Sequence, residues 1–206
     1  MKVALLGGTG DFGLALAKRL VVAGDEVVIG SRDAQRAGDA ADELGARGAT
    51  NEEAVGGAEL VVLAVNADAA LPTAQALANA IGERPLLSVA SALRFMKAGV
   101  LPADDERSLA ERTQELVDGP VVAGLHSLAA ANLAGDEAPD QDALVCGDDD
   151  GAKALALELA SKAVAGRALD AGPLASARAL EGMTAVILNL NRRYKAHAGV
   201  RVTGID

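Results

Sequence analysis

Hydrophobic positions fall first into a short solid run and then into a helical rhythm. Lys2 to Gly7 (KVALLG) is an apolar stretch of strand length. Leu14, Leu16, Ala17, Leu20 and Val21 follow at the spacing of one helix face, Gly24 supplies a stop, and Glu26 to Gly30 (EVVIG) reads as a second strand. Asp33 to Leu44 is a polar, Ala-rich surface helix ended by Gly45, and Asn51-Glu52-Glu53-Ala54 a short capped helix. Glu59 to Val65 (ELVVLAV) is a nearly continuous apolar run, as expected of a parallel strand covered on both faces. Asp68 reads as the cap of a helix over Ala69 to Ile81. Pro85 to Ala90 is another buried strand, Ser91 to Met96 a loop, Asp104 to Asp118 an amphipathic helix with Leu109 and Leu116 inward, and Pro120 to Gly124 a further strand. Strands alternating with helices predict a doubly wound, mostly parallel α/β sheet of Rossmann type with right-handed crossovers.

The last third is less regular. It offers a strand Ala143 to Cys146, a helix Lys153 to Ala163, a short strand Arg167 to Asp170 and the longest helix, Leu174 to Ala196, striped by Leu180, Met183, Ile187, Leu190 and Tyr194.

Between the first strand and the first helix lies Gly8-Thr9-Gly10-Asp11-Phe12-Gly13, with glycines spaced as G-x-G-x-x-G. Strand, glycine turn, helix and second strand within about 30 residues form the unit that binds dinucleotides. Gly8 is expected to permit the tight turn, Gly10 to let the backbone approach a pyrophosphate, and Gly13 to let the helix pack closely on the strand. The helix start then points unpaired N–H groups and a positive dipole end at the phosphates. After the second strand stand Ser31, Arg32 and, one turn on, Arg36. A hydroxyl and two guanidinium groups suit the 2′-phosphate of NADP; the alternative leaves both arginines on a solvated face, with Asp33 accepting the ribose hydroxyls of NAD. Residues 1-125 form the expected nucleotide-binding domain. Residues 126-206 form a small C-terminal α/β extension that completes a second binding wall and whose long helix suits a subunit interface.

Composition narrows the setting. Half of the 206 residues are hydrophobic, yet Phe12, Phe95 and Tyr194 are the only aromatics, so the core must be built from Ala, Leu and Val. A net charge of −10 argues against nucleic-acid and anionic-membrane surfaces, and the surplus of Asp over Glu with scarce Lys hints at a salt-rich cytoplasm. Cys146 stands alone, which excludes an intrachain disulfide; with no signal core and no apolar run near the ~20 residues of a membrane span, a cytoplasmic protein is expected. Asp148-Asp149-Asp150 could invite a metal, but they precede a helix, where carboxylates cap. Phe95 and Met96 could line a slot for a flat ring or plug their loop onto the core.

The usual catalytic sets are missing: there is no nucleophile elbow, no cysteine pair and no metal-ligand cluster. His126, just after a strand, is more often structural than catalytic. Direct hydride transfer between two bound rings would need no such set, only two rings held face to face.

Val3 to Gly10 with Gly13, Gly30-Ser31-Arg32, Leu125-His126-Ser127, Cys146 to Asp150, and Leu169 to Leu174 with Ile187-Leu188-Asn189 together resemble the NADPH-dependent coenzyme F420 reductase family (F420H2:NADP oxidoreductase), in the same order over nearly the whole chain. The resemblance implies a homo-oligomer, dimer or tetramer, of archaea and actinobacteria. It also implies reversible hydride transfer between the deazaflavin C5 of F420 and the nicotinamide C4 of NADP. It places Thr9, Gly10, Asp11 and Phe12 around the pyrophosphate and Ser31, Arg32 and Arg36 on the 2′-phosphate. Ala67 and Ala130 would touch the nicotinamide half, and His126 with Leu128 would border the deazaflavin. The chain departs from the family pattern at 66–69, 91–94 and 129, around the second ligand. An NADPH-dependent reductase of another flavin-like or small carbonyl acceptor, or a non-enzymatic NADP-sensing regulator, therefore stays open as an alternative.

Overall fold

The centre of the computed structural model, which describes residues 1–205, is β1 (Lys2–Leu6), and four of its five residues are fully sequestered from solvent. On one side it pairs with β2 (Glu26–Ser31), then β3 (Arg47–Thr50); on the other come β4 (Leu60–Leu63), β5 (Leu86–Ser88) and β8 (Val121–Gly124), all parallel. The sheet does not stop there. β9 (Ala143–Gly147) adds antiparallel to β8, and β10 (Ala168–Asp170) adds parallel to β9, giving eight strands in the order β10-β9-β8-β5-β4-β1-β2-β3.

Helices cover both faces. α1 (Asp11–Val22) and α7 (Asp150–Ala163) lie on one. α3 (Asn51–Ala54), α4 (Ala67–Ile81), α5 (Leu109–Gln114) and α8 (Ala177–Tyr194) contribute to the apolar cluster on the other. α2 (Ala34–Asp42) packs beside β3, and α6 (Ala130–Leu133) beside α1. With so few aromatics the layers close through small residues: Ala152, Ala156, Ala160 and Ala163 of α7 are all buried, a row of alanines at spacings of four and three that lets the helix sit close on the strands. Leu5, Leu16, Leu20 and Ile29 fill what remains, each worth about 1.5–3 kcal/mol of burial. The core is thus the Ala, Leu and Val interior that composition predicts, with Phe95 and Tyr194 exposed and Phe12 at its margin.

Several local expectations need correction. β3, with the sequence RGAT, carries no apolar run to announce it, because it is an edge strand. The 91–96 loop instead enters β6 (Leu93–Met96), which forms a two-stranded hairpin with β7 (Gly99–Pro102), with Arg94, Phe95 and Met96 outward. The 104–118 helix shrinks to α5, because Ser108 and Glu111 close a capping box that starts it late. α4 begins at Ala67 with Asn66 as N-cap, so Asp68 sits inside the first turn and is not the cap. The final helix opens with a 3-10 turn, Leu174–Ser176, and ends at Tyr194; Leu190 and Tyr194 of its stripe face solvent. The Asp run does cap: Asp149 accepts from the Ala152 N–H at 2.7 Å, and Asp148 from the Leu174 N–H at 2.9 Å. No helix among the described residues is long and apolar enough to cross a membrane.

Candidate nucleotide site and second wall

The turn after β1 is built by glycine, with its jobs redistributed. The left-handed residue is Gly7 (φ 68°), one position earlier than expected, and a Cβ there would also collide with Val65. Gly8 and Gly13 are instead a contact pair: a Cβ on Gly13 would lie 2.6 Å from the Gly8 carbonyl oxygen, so α1 starts directly against the turn's backbone. Above Gly10 the nearest atom to such a Cβ is 3.9 Å away, which leaves room for a ligand to approach the main chain. No side chain caps α1 at Gly10, and its positive end stays open. From the start of α3, the Asn51 Oδ1 accepts the Gly7 N–H at 3.1 Å and holds the turn in place.

Beside this turn, β2 ends at buried Ser31, whose Oγ accepts the Asp33 N–H at 3.2 Å. The Asp33 carboxylate accepts from the Gln35 and Arg36 N–H groups at 2.9 and 3.2 Å, as the N-cap of α2. Arg32 and Arg36, both exposed, have no carboxylate partner among the described residues. A cavity of about 640 Å³ brings Thr9, Gly10, Ser31, Arg32 and Arg36 together with Asn51, the 64–66 strand end and the first turns of α4. Its lining holds one carboxylate, Glu52, against two guanidinium groups. The volume and the unpaired cations suit a phosphorylated ligand.

The other expected residues lie outside that lining. Asp11 is exposed on the first turn of α1, and the Phe12 side chain packs on the core cluster that contains Leu128. Ala67, half-buried, opens α4 next to cavity-lining Asn66, and half-buried Ala130 opens α6. His126 and Leu128 are each 6% exposed. The Ser91 Oγ sits 3.2 Å from the His126 Nδ1 and 2.8 Å from the Thr184 Oγ1, and the Thr184 hydroxyl donates to the His126 carbonyl at 2.8 Å. Burial pushes the imidazole down to about 4, so it is neutral at physiological pH. Local sequence does not single out Ser91, Asn51 and Thr184, since their partners lie 35 to 93 residues away.

Two kinds of comparison bear on this arrangement. A family profile described as "NADP oxidoreductase coenzyme F420-dependent" matches residues 2–92, the segment that builds the turn, both arginines and the floor of the cavity. The chain is 37% identical to the F420-dependent NADP reductase of Methanothermobacter marburgensis over 100% of its own length and 99% of the relative's. It is 36% identical to that of Methanothermobacter thermautotrophicus, over 100% and 96%. A crystal structure of a candidate F420-dependent NADP reductase from Arthrobacter sp. FB24 superposes with a TM-score of 0.85 at 26% identity, covering 99% of this chain and 100% of that one. A chain with a phosphate-ready glycine turn, an unpaired arginine pair at the end of β2 and full-length relatives of this kind belongs to the F420-dependent NADP reductase family.

Proposed function

We propose that the protein catalyses reversible hydride transfer between the deazaflavin C5 of reduced coenzyme F420 and the nicotinamide C4 of NADP. The observation that carries this reading is the pair of unpartnered guanidinium groups, Arg32 and Arg36, converging with Thr9 and Gly10 on one cavity. Asp33, the carboxylate that an NAD-specific site would use on the ribose, is spent on capping α2. In this reading Thr9, Gly10, Asp11 and Phe12 offer main-chain N–H groups to the pyrophosphate, and Ser31, Arg32 and Arg36 hold the 2′-phosphate. Ala67 and Ala130 flank the nicotinamide, while His126 and Leu128 border the deazaflavin ring.

Reduction of F420 takes a hydride from NADPH and one proton from solvent. The protein's part is to hold the two rings face to face in a dry slot, which replaces a bimolecular encounter by a fixed geometry. The neutral, hydrogen-bonded His126 fits that part: it shapes a wall and brings no charge to it. Exposed Val186, Leu190 and Tyr194 on α8, with exposed Phe95 and Met96 on the hairpin that α8 packs against, support assembly into a homo-oligomer.

Anaerobic mixing of the protein with NADPH and F420 tests the reaction. Bleaching of the F420 absorbance with matching loss of NADPH is expected. Oxidation of NADPH only by other acceptors would overturn it.

A further inference from the structure

Among the described residues Arg19 is the only arginine or lysine that is buried, at 5% exposure, and no carboxylate lies within ion-pair distance of it. A buried charge without a counter-ion is costly unless other polar groups solvate it. Backbone carbonyls do so here. The Arg19 Nε donates to the Leu133 carbonyl at 2.7 Å, Nη1 to that of Asp136 at 3.1 Å, and Nη2 to that of Gly135. Neighbouring Lys18 donates to the Ala134 carbonyl at 3.0 Å and to that of Gly135 at 3.2 Å, with the Asp136 carboxylate 3.4 Å away. Two adjacent residues of α1 thus hold four consecutive carbonyls at the end of α6, 114 to 117 positions further along the chain.

α1 does not need this arginine at its own end, where the Ala23, Gly24 and Asp25 N–H groups already donate to the Arg19, Val21 and Leu20 carbonyls. α6 does. It is a single turn with no side-chain cap at Ala129, too short to hold its shape alone. The chain that leads into it is also constrained: Leu125, 1% exposed, sits at φ 66°, a conformation that a bulky side chain keeps only where its surroundings impose it. Ser91 and Thr184 fasten this segment at His126, and Arg19 fastens it beyond Leu133. At its other end α1 opens onto the glycine turn, with Asp11 eight residues from Arg19, or about 12 Å along the helix.

We propose that Arg19 is a positioning residue for hydride transfer, fixing α6, and with it Ala130, to the helix whose first turn faces the phosphates. The inference rests on the functional reading above, which sets Ala130 beside the nicotinamide. Each Arg19 side-chain nitrogen is committed to a carbonyl at the end of α6, so the residue acts through Ala130 and not on either ring. Its leverage is large, because an error of about 1 Å in the placing of reacting groups costs about a hundredfold in rate.

The test follows F420 bleaching through a single turnover of the intact protein at saturating NADPH and F420, beside a titration of NADPH affinity. Arg19→Gln is expected to slow bleaching by about tenfold or more while the Kd of NADPH stays within about threefold. Arg19→Lys, which keeps the charge without the fork, recovers part of the rate. An unchanged rate in Arg19→Gln, or an NADPH affinity that falls as far as the rate, overturns the positioning role. Hydrogen exchange on the NADPH complex needs no F420: in Arg19→Gln the amides of 130–136 exchange faster while those of the glycine turn keep their protection, and unchanged exchange at 130–136 overturns the clamp. Should Arg19→Gln not fold, Lys18→Gln, nearer the surface, removes the Ala134 and Gly135 contacts and is expected to slow bleaching by about threefold; a wild-type rate there overturns the proposal. F420 left unbleached by the wild-type protein overturns the functional reading, and the exchange measurement then decides the clamp by itself.

Discussion

The two sides of the binding region are made differently. The nucleotide side is an open, cationic cavity lined by one contiguous stretch of chain, from the glycine turn to α4. The second wall is closed, and Ser91, His126 and Thr184, from three segments far apart in sequence, are hydrogen-bonded to one another, with the His126 Nε2 left buried and without a partner. A phosphate is recognised by backbone shape and fixed charge, which local sequence can encode. A flat ring is recognised by a surface that only tertiary packing assembles.

The sharpest way to break this contrast is at Gly13. A methyl group there meets the Gly8 carbonyl at 2.6 Å, and the neighbours it meets are backbone atoms that cannot step aside. Gly13→Ala is expected to push α1 off the turn and weaken NADPH by more than about a hundredfold, near 3 kcal/mol, as overpacking of a tight contact does. Isothermal titration checks it; NADPH affinity within a few-fold of wild type would show that α1 does not hold the phosphates.

Next comes Arg32→Ala. Loss of a charge-assisted hydrogen bond to a phosphate costs about 2.5 kcal/mol, so NADPH should weaken by about seventyfold while NADH is little changed. Equal loss for both cofactors would remove the 2′-phosphate assignment and return the ribose role to Asp33.

How far the fold was legible follows the same divide. β1, β2, β4, β5 and β8 announce themselves because a strand covered on both faces must be apolar throughout. β3 does not, since Arg47 and Gly48 at the sheet edge need little apolar cover. The direction of β9 was illegible too: Ala143 to Cys146 reads the same apolar way whether it joins its neighbour parallel or antiparallel. The hairpin hid because three residues of β6 point outward and its partner is only β7. Within the site, Thr9, Gly10, Ser31, Arg32 and Arg36 could be named because a fixed local spacing carries them to one cavity. Glu181 could not. A glutamate in a helix reads as surface, and its burial depends on the start of α5, 71 to 72 residues away.

That buried carboxyl and the buried imidazole provide a pH test of the second wall. Burial raises the Glu181 pKa from 4.5 to about 7, so its contribution to stability is fully present below pH 4.5 and is lost as pH rises through about 7. Burial lowers the His126 pKa from 6.5 to about 4; its contribution is present above pH 6.5 and is lost as pH falls through about 4. Between these limits the two slopes oppose each other. Glu181→Gln should leave a Tm that climbs with pH from 4.5 to 6.5, and His126→Asn one that declines, each by about 2 kcal/mol or ~6 °C. Parallel profiles in the two variants would mean that neither group is buried as described.

The smallest effect separates shape from charge on the nucleotide side itself. Asn51 touches the turn only through its Oδ1, which accepts the Gly7 N–H at 3.1 Å, and Gly30 has no side chain partly because a Cβ there would lie 2.8 Å from the same oxygen. Asn51→Ala leaves a half-buried N–H without its acceptor, at a cost of about 1 kcal/mol, and loosens the turn without touching Arg32 or Arg36. NADPH and NADH should therefore weaken by the same factor, about fivefold. Asn51→Asp keeps an acceptor for Gly7 but sets a carboxylate in a cavity whose arginines await a phosphate, so NADPH should suffer more than NADH. If Asn51→Ala discriminated between the two cofactors, the turn and the arginine pair would not be the separable devices described above, because a neutral change at the backbone would then be acting on the 2′-phosphate.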